Sequence, residues 1–320
     1  MQVRQSEKRI HKVVNETVNG LNIVAHLKAA NANEDILETQ YMTGQGFDPS
    51  NVTLDVQLRR DGKTRTLIST NLAVVAHYWT ITMGQSHWYR GKVNVPKSAT
   101  DHQELERSVF IPFFGHHNIK GSDELIVTVF CGRGTFNGGP GGVALDGSSL
   151  LVTTNQSIGV ESAIYRFHSQ AIQSNMSDEN VNLGDNVERV ALVSFERDGT
   201  KPIFKTCSLT SDRLDWTISE AELALKHRQF FPYNYADVLM SRGWTEQVMK
   251  YFPNTFLCHD KDEIDQAKLS VSLHPANVKS SQNYVCWTSF ETSREMIAKA
   301  VEMQNRHNVE NVEKVPDKLV

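Results

Sequence analysis

The sequence predicts a mainly β protein built as two tandem β-sandwiches, jelly rolls by size, with short loop helices and helical termini. Three observations carry that expectation. Short runs rich in Val, Ile, Leu and Thr recur along the chain, partly alternating and separated by Gly, Asn and Asp breaks. A turn with similar flanks occurs twice, "RRDGKTRTLIST" at Arg59–Thr70 and "ERDGTKPIFKTC" at Glu196–Cys207, 137 positions apart and each behind an apolar run. The 320 residues suffice for two ordinary cores. Periodicity alone specifies two sandwiches. The jelly roll is then the sandwich class of this size that accommodates a helix in one long loop.

The first segment, residues 1–20, reads as an amphipathic helix ending near Gly20. Val3, Ile10, Val13, Val14 and Val18 fall on one side at helical spacing, and Arg4, Lys8 and Lys12 form a basic stripe beside them. Such a helix packs its apolar side on its own domain or a neighbour. The alternative is that the basic stripe rests on an anionic lipid surface.

From Leu21 the pattern turns to strands: "LNIVAHL", "DILETQYM", "VTLDVQL" and "KTRTLIS", with Asp61-Gly62 as a tight-turn signal. "NLAVVAHYWTITM" then reads as a helix capped near Ser69 or Thr70, and "SVFIPFF" and "ELIVTVFC" resume the strands. "GRGTFNGGPGGVALDGSS", Gly132–Ser149, has neither the P-loop nor the dinucleotide glycine spacing. It reads as a long flexible connection and a candidate linker between the halves, with 157–162 as the later choice.

The second half repeats the order with "SAIYRFH", "RVALVSF", Asp198-Gly199 and "KPIFKTCSL". A helix capped by Ser219 and Glu222 follows, and then "FFPYNYADVLM", "WTEQVMKYF", "AKLSVSL" and "YVCWTSF". "DEIDQAKLSVSL" takes the place of "SDELIVTVF". Thr292 and Glu295 cap a last helix before a polar tail. The expected organisation is therefore an arm at 1–20, a first unit at 21–155 containing the Gly-rich connection 132–149, a second unit at 156–292, and a helix and tail at 293–320.

Composition excludes several function classes. With 39% apolar and 22% charged residues the chain is globular, and a net charge of -4 argues against a broad basic face and specific nucleic-acid binding. Cys131, Cys207, Cys258 and Cys286 lie too far apart for a zinc site or disulfide framework and read as reduced core residues. No secretory or membrane-spanning pattern is present, so synthesis and assembly in a cytoplasm are expected.

The search for chemistry gives little. Ser86-His87 are chain neighbours without an orienting third group. His116-His117 with Asp101 and His102 lack ligand spacing and read as a polar loop. Asp260, Asp262, Glu263 and Asp265 lack the EF-hand pattern; they read as a solvated turn, or as part of a Ca²⁺ site completed by a neighbouring chain. The five tryptophans, one per region, read as core. No catalytic or cofactor-binding residue is assigned, and no enzyme is expected.

"NVTLDVQLRRDGKTRTLISTNLAVVAHY", "ALVSFERDGTKPIFKTC" and "AKLSVSL…NYVCWTSF" together resemble the double jelly-roll major capsid proteins of membrane-containing icosahedral bacteriophages, of the corticovirus and Flavobacterium-infecting lipid-containing kinds. The resemblance covers roughly residues 20–292. It implies a homotrimer of six similar wedges tiling an icosahedral shell, with neighbouring capsomers and other virion proteins as partners and an internal lipid membrane facing Arg4, Lys8 and Lys12. No cofactor is expected, with a structural divalent cation such as Ca²⁺ at the acidic group Asp260, Asp262, Glu263 and Asp265 as the alternative. The resemblance also implies a virion location after assembly in the host bacterial cytoplasm. The alternative reading is a tandem β-sandwich attachment or carbohydrate-binding module; an enzyme on a cupin-like scaffold comes third and lacks its histidine set.

Overall fold

Strand β3 (Glu16–Lys28) shows how the chain commits to sheet: Leu21, Ile23, Ala25 and Leu27 are buried, while Asn22, Val24, His26 and Lys28 stay half-exposed on the other face. The same period-two burial runs through β4 (Val52–Arg60) and, after a register shift between Phe204 and Thr206, through Cys207 and Leu209 of β13 (Phe204–Thr210). The structure is a computed structural model describing residues 1–32, 46–83, 89–94, 98–137, 142–159, 163–172, 179–194, 204–211, 215–219, 222, 256–259, 267–273 and 283–291.

The remaining strands of the first unit are β1 (Gln2–Val3), β2 (Glu7–Val13), β5 (Lys63–Asn71), β6 (Tyr89–Asn94), β7 (Glu104–Ile119), β8 (Glu124–Cys131) and β9 (Ser149–Gln156). One helix, α1 (Leu72–Met83), follows β5. The second unit holds β10 (Ile164–Ala171), β11 (Glu179–Gly184), β12 (Val187–Ser194), β13, β14 (Asp215–Ile218), β15 (Phe256–His259), β16 (Ala267–Leu273) and β17 (Asn283–Glu291).

Four antiparallel sheets result: β1-β9-β3-β7-β6, β2-β8-β4-β5, β10-β17-β12-β15 and β11-β16-β13-β14. With β6 set aside, each unit has eight strands in chain order among the described residues. In both, the first, eighth, third and sixth strands make one sheet, and the second, seventh, fourth and fifth make the other. That shared order is the jelly roll, two sheets woven as paired Greek keys. Each unit therefore traces the same path, and each closes over its own apolar cluster.

Several expectations are corrected. Residues 1–20 are not a helix but β1, β2 and the start of β3. Ser6 and Asn15 sit at φ 59° and 57°, left-handed turns that no continuous α-helix passes through. The supposed apolar stripe is split, with Val3, Val13 and Val18 buried but Ile10 and Val14 at 59% and 47% exposure.

The repeated turn is not the repeat. Asp61-Gly62, at φ 53° and 69°, joins β4 to β5 within one sheet. Asp198-Gly199 lies between β12 and β13, which belong to different sheets, and itself falls outside the described residues. "ELIVTVFC" and "AKLSVSL", by contrast, are both seventh strands, β8 and β16.

The Gly-rich run is the β8–β9 connection inside the first unit, and its described part is anchored rather than free. Gly132 N donates to Asn51 O and Asp48 N to Thr135 O, both at 2.8 Å; buried Phe136 packs on Phe47, and Ala144 N reaches Lys28 O. Satisfied backbone groups and one buried aromatic outweigh the freedom its glycines confer. The chain leaves β9 at Gln156 and enters β10 at Ile164.

The helix after Ser219 is described only at its cap, where Glu222 accepts from the Ser219 amide and hydroxyl. The expected strands at 35–42, 230–240 and 244–252, the acidic group at 260–265, Ser86-His87 and the terminal helix and tail at 293–320 lie outside the described residues.

Candidate functional site

The residues that join the two units form the most elaborate side-chain constellation among those described. Its centre is α1, whose run Leu72–Tyr78 is buried on every side. A helix apolar all round must lie between two packed layers. Asn71 supplies its cap, with Oδ1 accepting from Val74 N at 2.9 Å, so the cap falls one or two residues later than the sequence predicts.

The layer opposite is the β10-β17-β12-β15 sheet, which is buried on both faces. Val187, Val190, Leu192, Val285 and Trp287 face the second unit's core. Phe167, Ala191, Val193 and Cys286 face the first unit instead and belong to its cluster. Tyr78 crosses the seam: its hydroxyl lies 3.0 Å from Thr288 Oγ1 and 3.4 Å from Arg189 O, and its ring packs edge-on to Phe167 at 5.0 Å. Burial pushes the Tyr78 hydroxyl and the Cys286 thiol far above their ordinary ionisation ranges, so both stay neutral.

The rim is polar. Ser169 Oγ donates to Thr70 Oγ1 at 2.8 Å, and Asn71 Nδ2 reaches Tyr284 Oη at 3.4 Å. Arg65 of β5 binds the Glu291 carboxylate through Nε and Nη2, the latter at 2.8 Å, and Arg166 of β10 binds the same carboxylate. The Arg65 hydrogen bond is the main reason the Glu291 carboxyl sits below its usual range. These groups hold two domains in one orientation.

The basic trio expected at the N-terminus is only partly brought together. Lys8 and Lys12 share the outward face of β2 with Ile10, Lys8 opposite Phe130 and Lys12 Nζ 3.5 Å from Glu124 Oε1. Arg4 lies in the β1–β2 turn, its amide donating to Glu7 Oε2. β2 separates it from Lys12 by roughly 23 Å.

Asp101 and His102 precede β7, whereas His116 and His117 lie near its far end, roughly 40 Å away at strand rise. They make local bonds instead: His102 Nδ1 to Ala29 O and His116 Nδ1 to Ser157 Oγ, both 2.8 Å. Among the described residues no group of metal-ligating side chains gathers, and no helix is long and apolar enough to cross a membrane. Cys131, Cys207 and Cys286 are buried and unbridged.

The seam escaped the sequence reading. Its one available signal was the helix "NLAVVAHYWTITM", which has no polar stripe to turn toward water.

The chain is thus a double jelly roll, two sandwiches of common topology fixed side by side. No protein-family model matches it, and no curated protein matches it in sequence. In backbone it is similar to the major capsid protein of Sulfolobus Turreted Icosahedral Virus, with TM-score 0.52 and 11% identity over 90% of this chain and 93% of that one. The atomic structure of that virus contains a chain matching at TM-score 0.48, 11% identity, over 91% and 88%. The major capsid protein P2 of Bacteriophage PM2 matches at TM-score 0.35, 11% identity, over 91% and 95%.

Proposed function

We propose that this chain is a viral major capsid protein whose work is self-assembly. The observation that carries the reading is the duplication itself: two units of one strand order, joined by a head-to-tail contact in which α1 and β5 of the first meet the β10-β17-β12 face of the second. The likeness to the Sulfolobus virus capsid protein over nearly the whole of both chains supports it. A head-to-tail contact repeats until the rotation closes. Two similar wedges per chain, taken three times, give a trimer with a nearly hexagonal outline that can tile a shell. Buried interface and shape drive the process, without turnover.

An internal lipid membrane beneath the shell, and a phage of the corticovirus kind, are the finer parts of the same proposal. Lys8 and Lys12 on exposed β2 are the residues that would meet anionic lipid. Because residues 1–19 are strands of the first unit, truncation is the wrong test. Flotation of Lys8→Glu/Lys12→Glu protein with anionic vesicles is the right one; binding equal to the unaltered chain removes the membrane contact.

Native mass measurement of the purified full chain tests the capsid reading. It predicts three times the 36.1 kDa chain mass, or larger closed assemblies. A single-chain mass at every concentration overturns it.

A further inference from the structure

Among the described residues β2 is the terminal strand of the β2-β8-β4-β5 order, and it projects beyond the core it borders. Residues directly opposite in a pair share a sheet face. Arg9 and His11, opposite buried Val129 and Val127, therefore lie on the core-side face of β2. Both are nonetheless exposed, and on that face only Val13, opposite Leu125, is buried. On the outward face Lys8 and Lys12 flank Ile10, which is 59% exposed, and Phe130 opposite Lys8 is 41% exposed. The run Lys8–Lys12 thus meets solvent on both faces of one strand.

A terminal strand offers its outer row of backbone N–H and C=O groups to any extended segment that lies beside it. Side chains decide which segment does so. A second β2 laid antiparallel about Ile10 would set Lys8 against Lys12 at both ends and Arg9 against His11 between them. Like charges directly opposite destabilise such a pair. The one acid of the strand gives no relief, because the Glu7 carboxylate is engaged by the Arg9 side chain and the Arg4 amide. The edge therefore repels its own copy and complements a strand of opposite charge, with Ile10 and Phe130 as apolar contacts for a central side chain.

We propose that the outer edge of β2 is a docking edge for an extended acidic segment of another protein. The segment adds as a strand beside β2, its acidic side chains against Lys8, Arg9, His11 and Lys12. Main-chain hydrogen bonds supply the attachment and alternate side chains the selection. Arg9 and His11 meet the partner on the core-side face, so the contact differs from one made by Lys8 and Lys12 on the outward face alone. The inference goes beyond self-assembly and stands whether or not the chain builds a shell.

Fluorescence anisotropy with the full chain and labelled peptides of the β2 length tests it. The first peptide is the β2 sequence carrying Lys8→Glu, Arg9→Glu, His11→Glu and Lys12→Glu. The second is β2 unaltered, and the third is the first with its internal backbone nitrogens methylated. The acidic peptide should bind, less tightly as salt rises, and the unaltered one about tenfold or more weaker. Methylation should cost about tenfold or more as well, because it removes backbone donors and keeps the charge. Arg9→Glu/His11→Glu in the chain, at two exposed positions, should weaken the acidic peptide to the same degree with an unchanged melting temperature. If that variant loses stability, Arg9→Gln/His11→Gln decides by the same loss. Equal binding of the methylated peptide would mean that charge alone is recognised, as by an anionic lipid surface, and overturns strand docking. Failure of the acidic peptide to bind, or binding indifferent to these variants, overturns it too.

Discussion

The Tyr78 hydroxyl meets Thr288 Oγ1 at 3.0 Å, across 210 residues of sequence and across the seam between two domains. Both side chains are buried. A polar pair in that position does more than add a hydrogen bond, because only one relative orientation of the two units satisfies it.

Tyr78→Phe keeps the ring against Phe167 and strands the Thr288 hydroxyl in an apolar seam. The expected loss is about 1–3 kcal/mol. Tyr78→Ala, which also empties the ring's volume, should cost about 3–5 kcal/mol. Chemical denaturation of the two variants measures the difference; equal losses would mean the hydroxyl alone matters.

The Arg65–Glu291–Arg166 cluster is half-open to water, so its share is small. A double-mutant cycle with Arg65→Ala and Glu291→Ala should give a coupling of about 1 kcal/mol or less, shrinking further in high salt. The Glu291 carboxyl is held below its usual range, chiefly by its Arg65 hydrogen bond. That contribution is therefore present above the unfolded carboxyl's pKa and is lost as pH falls through the lower folded value. Glu291→Gln should remove the salt and acid dependence together.

His117 is fully buried on β7, and burial drops its pKa to about 4. A histidine whose folded pKa is depressed stabilises the fold above its unfolded pKa and loses that advantage as pH falls through the folded one. The window runs from about 6.5 down to about 4. The penalty below it is on the order of 3 kcal/mol. His117→Phe should flatten stability over that window, seen as melting temperature against pH.

Gly20→Ala places a methyl group 2.6 Å from Ile111 O as well as from the Phe110 ring. A backbone oxygen cannot rotate away, so the two strands must separate. The expected cost is about 1–3 kcal/mol, read by thermal melting. An unchanged melting point would mean that β3 and β7 are spaced more widely than described.

The sequence made strand character and duplication legible, but for partly mistaken reasons. Alternation in "LNIVAHL" and "VTLDVQL" reports a half-buried sheet directly. The seventh strands β8 and β16 match because both are apolar runs behind acidic sequence, "SDE" and "DEID". The Asp-Gly echo misled, since a tight turn signals two residues' backbone geometry and carries no information about which sheet the flanking strands join. Residues 1–20 misled for a related reason: Val3, Val13 and Val18 satisfy helical spacing by coincidence, while Ser6 and Asn15 break the chain at angles that a side-chain pattern does not display. The seam was illegible because its partners, Tyr78 with Thr288 and Arg65 with Glu291, are joined by tertiary packing alone.

Electron microscopy of the purified full-length chain tests the central claim most directly. Two like domains per chain in repeating head-to-tail contact predict class averages with a hexagonal outline and six similar lobes, built from three chains. Averages showing isolated two-lobed particles at concentrations where the chain is folded would contradict it.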